Sequence, residues 1–187
     1  NVVQRRVLFS LINVSIRYRI GRLSATHINR DFPALVGIEK SLLEEVAQKA
    51  FDEKIKEDVF PKALSFIKEL EQKGEKIAIA TSSFDIIIKP LIEYLGISKV
   101  ISSSIEFADG LCTGKFIDPP AFFHEKRAKV LRFLAAENIK PDECSFYSDS
   151  IYDLPLMEAV GEPVPTNPDI LLARHAKRMG WPVLDFA

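Results

Sequence analysis

Two carboxylates four residues apart, Asp149 and Asp153, close the run Phe146-Tyr147-Ser148-Asp149-Ser150-Ile151-Tyr152-Asp153-Leu154-Pro155. A strand that delivers one acid at its carboxyl end, followed by a helical turn that brings back a second, can hold a divalent cation. Magnesium takes hard oxygen ligands, usually one or two carboxylates with phosphate and water. Asp149 therefore reads as a ligand and Asp153 as a ligand or as the partner that orients one; the plainer reading is a capping Asp with a solvated neighbour. Thr81-Ser82-Ser83, after Ile77-Ala78-Ile79-Ala80, offers a hydroxyl and successive N–H groups ahead of a helix, which can cradle phosphate oxygens or simply cap that helix. Lys126, in His124-Glu125-Lys126-Arg127-Ala128-Lys129, could neutralise charge on a transferring phosphoryl group, although most lysines in such a run are solvated.

The elements that must position these residues divide into two stretches. Up to about Lys73 the apolar positions recur at three and four, as in helices. Leu8, Leu11, Ile12, Ile16 and Ile20 form one stripe. Ser41 is the expected N-cap of a second helix, and a third runs from near Pro61 to Lys73 with Gly74 beyond its end. From Glu75 strands alternate with helices. A short buried strand over Lys76 to Ala80 is followed by a polar turn and a helix from about Phe84 to Leu95, ended by Gly96. Val100-Ile101-Ser102 is a second strand, and Asp109-Gly110 between two apolar runs predicts a hairpin. A helix around Glu125 to Glu137, a strand from Cys144 to Tyr147, a short helix after Ile151, a strand near Pro163 to Pro165 and a helix from about Asp169 to Met179 complete the order, with Pro182 to Leu184 as a final strand. This alternation predicts a parallel sheet covered on both faces, with ligands outside the carboxyl ends of its strands.

With 187 residues, 47% hydrophobic and 27% charged, the chain can bury one full core. Its formal net charge of −1 gives no field that would favour nucleic acid or an anionic membrane. Cys112 and Cys144 cannot build a disulfide framework or a zinc knuckle, so a reducing, cytoplasmic setting is the expectation. The apolar stretch from Val7 to Ile20, broken by Asn13, Arg17 and Arg19, is too short and too polar to span a membrane. His27, His124 and His175 share no metal-ligand spacing. Arg5, Arg6, Arg17, Arg19 and Arg22 read as solvated helix positions, one of which could grip an anionic substrate, with an RNA or membrane-surface role as the further alternative. Phe122-Phe123 and Pro119-Pro120 shape a loop near the pocket or pack under it, and Cys144 reads as core.

Thr81-Ser82-Ser83 after a strand, Lys126 downstream, and Ser148-Asp149-Ser150-Ile151-Tyr152-Asp153 after another strand resemble three ordered motifs of the haloacid dehalogenase-like hydrolases, in particular the phosphoserine-phosphatase-like branch. Asp109-Gly110-Leu111-Cys112-Thr113-Gly114, Asn167-Pro168-Asp169 and the tail Gly180-Trp181-Pro182-Val183-Leu184-Asp185-Phe186 carry the same likeness. The resemblance implies an α/β fold, a three-layer Rossmann-like parallel sheet core over residues 71–187, with an inserted helical cap over residues 1–70 and a small β-hairpin flap. It implies a magnesium-dependent phosphatase acting on a small phosphorylated metabolite through an aspartyl-phosphate intermediate. In that scheme Thr81, with the Ser82 backbone, binds phosphoryl oxygens, Lys126 stabilises their charge, Asp149 holds Mg2+, and Asp153 orients Lys126 or the metal's waters.

The departure from the pattern is the nucleophile. The family carries it in an Asp-x-Asp motif on its first strand, and no Asp-x-Asp occurs in these 187 residues. A missing central strand would leave buried strand edges with unpaired backbone groups. The expectation is therefore that residues upstream of Asn1 supply that strand and both acids, and that the 187 residues alone are inactive. A non-catalytic relative that binds phosphoryl ligands and a phosphotransferase are the rival readings.

Overall fold

The computed structural model describes residues 31–187. The Leu8 to Ile20 stripe, the five arginines from Arg5 to Arg22, and His27 lie outside the described residues.

A 3-10 turn, Pro33–Leu35, leads to helix α1, Lys40–Ala50, which continues through a π-helical turn, Phe51–Ile55, to Asp58. Ser41 does not cap it. Glu39 holds the cap position, because the Lys40 N–H donates to the Gly110 carbonyl at 2.9 Å and Glu39 bridges to Leu111. Hairpin backbone thus satisfies an orphan donor of the first turn, and the Ser41 hydroxyl donates to the Glu39 carboxylate instead, at 3.3 Å. Helix α2, Pro61–Gln72, opens on proline and is followed by Gly74 at φ +77°.

Strand β1, Ala78–Phe84, pairs in parallel with β2, Lys99–Ser103, across helix α3, Asp85–Leu95, which Gly96 ends in the left-handed region. The expected polar turn after Ala80 is absent: extended backbone runs on through Thr81-Ser82-Ser83, with an irregular register between Ala80 and Phe84. The Ser103 hydroxyl bridges this irregularity by donating to the Ser82 carbonyl at 3.2 Å. Nor is β1 fully buried as expected. Ile79 and Ala80 are half-buried and Ala78 is exposed, since among the described residues β1 is paired on one side only.

Strands β3, Ile105–Ala108, and β4, Leu111–Phe116, form the predicted hairpin, and Asp109 and Gly110 both take positive φ, as a two-residue primed turn requires. Helix α4, Phe123–Ala136, follows. Strand β5, Ser145–Ser148, pairs in parallel with β6, Glu162–Pro165, across a 3-10 turn, Ile151–Asp153, and helix α5, Leu154–Met157. Helix α6, Ile170–Met179, is capped by Asp169, whose Oδ1 accepts from Leu171 and Leu172 N–H. The strand expected over Pro182 to Leu184 reduces to one bridge between Thr166 and Leu184.

The fold is α/β, with two parallel strand pairs and a separate hairpin. Ile101, Val130, Leu134 and Leu156 form a buried cluster against which Ala80 and Phe146 pack, so α4 holds β1–β2 and β5–β6 together. A second cluster, Leu35, Ile38, Leu43, Ile86, Ile105 and Cys112, joins α1 to the hairpin and α3. Among the described residues no helix is long and apolar enough to cross a membrane.

Candidate active site

Helix α4 and the end of β5 bring together two residues that lie 27 apart in sequence. Lys126, only 5% exposed, donates its ammonium to Asp153 Oδ1 at 2.5 Å. The other Asp153 oxygen accepts from the buried Ser148 hydroxyl at 2.7 Å, and Ser148 Oγ in turn accepts from the Ser150 N–H at 3.2 Å. A buried ion pair repays its desolvation only when the remaining lone pairs are also satisfied. Ser148 provides that. The sequence motif does not by itself assign Ser148 a role; the signal for it is its place at the last position of β5, directly before Asp149.

Asp149 is held differently. Its carbonyl accepts from the Asp169 N–H at 2.7 Å, while Asp169 Oδ2 accepts from the Ile151 N–H at 2.8 Å, so Asp169 fixes both sides of the turn that presents Asp149. Among the described residues the Asp149 carboxylate meets only its own backbone N–H. Although the residue as a whole is exposed, partial desolvation of the carboxyl among the strand ends raises it from its ordinary value, and Asp153 and Asp169 raise it further, against the lowering effects of that N–H and of Lys126. A hard, negatively charged oxygen donor that forms no ion pair among the described residues suits a divalent ion. Among the described residues no group of three or more His, Cys, Asp or Glu forms a metal cage, so most of such an ion's shell would be water or phosphate.

Thr81, Ser82, Lys126, Asp149 and Asp153 all line one cleft of about 760 Å³. Thr81 Oγ1 accepts from the Ser83 N–H at 3.1 Å, two residues further along the same strand, which restrains the hydroxyl. Phe122 also lines the cleft, and His124 does not; it is exposed. Cys144 is half-buried and packs against the α4 core. The basic run of α4 is not simply solvated: Lys129, 9% exposed, donates to Asp118 at 2.9 Å and to the Ser102 carbonyl at 3.1 Å. Its spacing of three from Lys126 puts both ammonium groups on the inward face. Ser103, fully buried, accepts from the Ala121 N–H at 2.9 Å and so ties the loop before α4 to the strand pair carrying Thr81.

The family model for haloacid dehalogenase-like hydrolases matches residues 4–158. A histidinol-phosphatase of Neisseria meningitidis serogroup C is 33% identical over 156 residues, covering 81% of this chain and 70% of that protein. The chain spans about half the length of other curated relatives it matches, 52% and 45% of two of them. Among solved structures, a protein of unknown function from Bordetella pertussis Tohama I superposes with a TM-score of 0.81 at 25% identity, over 94% of this chain and 80% of that one. A substrate-bound phosphoserine phosphatase shares the fold, with a TM-score of 0.69 at 16% identity over 97% of this chain and 83% of that one.

Proposed function

We propose, from the premise that this chain belongs to the haloacid dehalogenase-like hydrolases, that it carries most of the active site of a phosphatase for a small phosphate monoester. The observation that carries the reading is the buried Lys126–Asp153 pair on the wall of the same cleft that Thr81 and Asp149 line. Structural ion pairs are common, but this one borders a cleft whose polar walls include hydroxyl and N–H donors and the Asp149 carboxylate, which forms no ion pair among the described residues.

In this reading the Thr81 hydroxyl and the Ser82 N–H hold phosphoryl oxygens. Lys126 keeps its ammonium toward the transferring group because Asp153 restrains it from behind, and it stabilises charge that grows on the equatorial oxygens. Asp153, with both oxygens engaged by Lys126 and Ser148, orients rather than ligates. Asp149 would hold a magnesium ion, which when bound supplies positive charge to the phosphoryl oxygens. The reaction then proceeds through an aspartyl-phosphate whose Asp-x-Asp strand lies outside these 187 residues. Support for that last part is that β1 and β5, each paired on one side only among the described residues, both line the cleft. The division into a helical cap over residues 1–70 and a core over residues 71–187, and a cytoplasmic setting, belong to the same proposal.

Phosphate release from an aryl phosphate, histidinol phosphate and phosphoserine by the full natural chain, with and without magnesium, tests it. Magnesium-dependent release from at least one of them is expected. No release from any, with an Asp-x-Asp present in the full chain, overturns the hydrolase reading.

A further inference from the structure

Phe123, the first residue of α4, has φ +47°, in the left-handed region that bulky side chains avoid. No side chain caps this helix. Such a conformation persists only where its surroundings hold it, and here they are identifiable. The preceding Ala121 N–H is fixed on Ser103, and the Phe123 ring stands edge-on against Tyr152, with centroids 5.0 Å apart and planes at 89°. Tyr152 is the residue before Asp153, and Lys126 lies three residues after Phe123. Helix α4 and the Ile151–Asp153 turn therefore meet at two matched points one helical turn apart, ring on ring at 123 and 152, charge on charge at 126 and 153.

We propose that Phe123 and Tyr152 form an aromatic clasp that sets the position of Lys126 over the Asp149–Asp153 turn, making both positioning residues for the reaction above, on which their functional consequence rests. A lysine on a four-carbon stem can reach a carboxylate from several helix placements. Only one placement also presents its ammonium to a phosphoryl group, and an error of about 1 Å can cost on the order of 100-fold in rate. The ion pair alone does not choose that placement: Lys129, Val130 and Leu134 hold the helix body, and the second point of attachment sets its first turn. The left-handed turn at Phe123 is the backbone geometry that lets the ring reach Tyr152 while the helix it begins carries Lys126 inward.

The test uses Phe123→Ala, Phe123→Gly, Tyr152→Ala and the ring-retaining Phe123→Tyr in the full natural chain. Expected are a fall in kcat of roughly ten-fold or more with KM little changed for Phe123→Ala and Tyr152→Ala, and a double variant no worse than either alone, as for residues acting as a unit. Phe123→Tyr should stay within about two-fold of the parent if the ring does the positioning. Phe123→Gly separates strain from packing: it should match or exceed the Tm of Phe123→Ala, because glycine accepts the left-handed backbone, yet show the same loss of kcat. Parental kcat in a folded Phe123→Ala or in Phe123→Gly overturns the clasp. A second readout does not depend on turnover. The ammonium protons of Lys126, followed by nitrogen-15 NMR, should exchange faster with solvent in Phe123→Ala than in the parent, and unchanged exchange overturns the clasp. If the parent hydrolyses nothing, the phosphatase reading falls and the ammonium measurement alone decides this inference.

Discussion

The Lys126–Asp153 pair has a cost and a use that two substitutions can separate. Lys126→Met leaves a buried carboxylate with the Ser148 hydroxyl as its remaining side-chain donor, which should destabilise the fold by about 3 kcal/mol. Lys126→Met combined with Asp153→Leu removes the orphaned charge and should recover much of that loss in denaturant unfolding, while phosphate release stays abolished. Recovery of turnover together with stability would reduce the pair to a structural feature. Asp149 makes the opposite prediction. Its carboxyl is raised above its ordinary value of 3.8, chiefly by desolvation, so the folded chain binds that proton more readily than the unfolded chain. The stabilisation from the proton is complete below the ordinary value and is lost as pH rises through the raised one. At neutral pH without metal, Asp149→Asn should therefore melt above the parent, and the two should converge in acid. Added magnesium should raise the parent's Tm and leave the variant's unchanged; equal shifts in both would place the ion elsewhere.

At the scale of elements, the β5–β6 unit depends on close approaches that offer little relief. A Cβ added at Gly161 would lie 1.9 Å from the Asp142 carbonyl oxygen, and the Gly161 N–H donates to Pro141 next to it. Gly161→Ala should cost about 1–3 kcal/mol by overpacking, and thermal melts will read this as a lower Tm. Leu156→Ala, in a fully buried position of α5, should cost about 2–5 kcal/mol in denaturant unfolding. Much of this architecture was legible in the sequence. The hairpin turn needs two consecutive residues at positive φ, which Asp-Gly announces, and the helix ends at Gly74, Gly96 and Gly180 follow from the same chemistry. That Asp149 and Asp153 stand together after β5 was legible, because a strand ending in acids is an unusual juxtaposition. What was not legible depended on partners remote in sequence. Ser41 loses its capping role to a carbonyl 69 residues away, at Gly110. Lys129 looked solvated because its partner Asp118 precedes the helix, in a loop. Ser148 and Asp169 act through hydrogen bonds that periodicity does not encode, and the left-handed φ at Phe123 has no local signal, since nothing in the type of that residue favours it.

For the molecule as a whole, the two halves of the site belong to different hydrogen-bonded units. Thr81 and Ser82 sit on β1, paired with β2, while Asp149 and Asp153 follow β5, paired with β6, and among the described residues no strand ladder joins the pairs. Side chains of α4 join them through Val130 and Leu134, packed with Ile101 on one side and Leu156 on the other. Amide hydrogen exchange should register this as two cooperative units. Gly161→Ala should lower protection at Tyr147 and Val164 while sparing Ile79 and Ile101, whereas Val130→Ala should lower it in both; uniform loss from Gly161→Ala would mean a single unit. One consequence concerns spacing. The gap between Thr81 on β1 and Asp149 after β5 is spanned by one helix, so the volume of its side chains at positions 130 and 134 acts as a shim. Changing that volume by a methyl group would widen or narrow the jaws of the site without altering any residue that faces it.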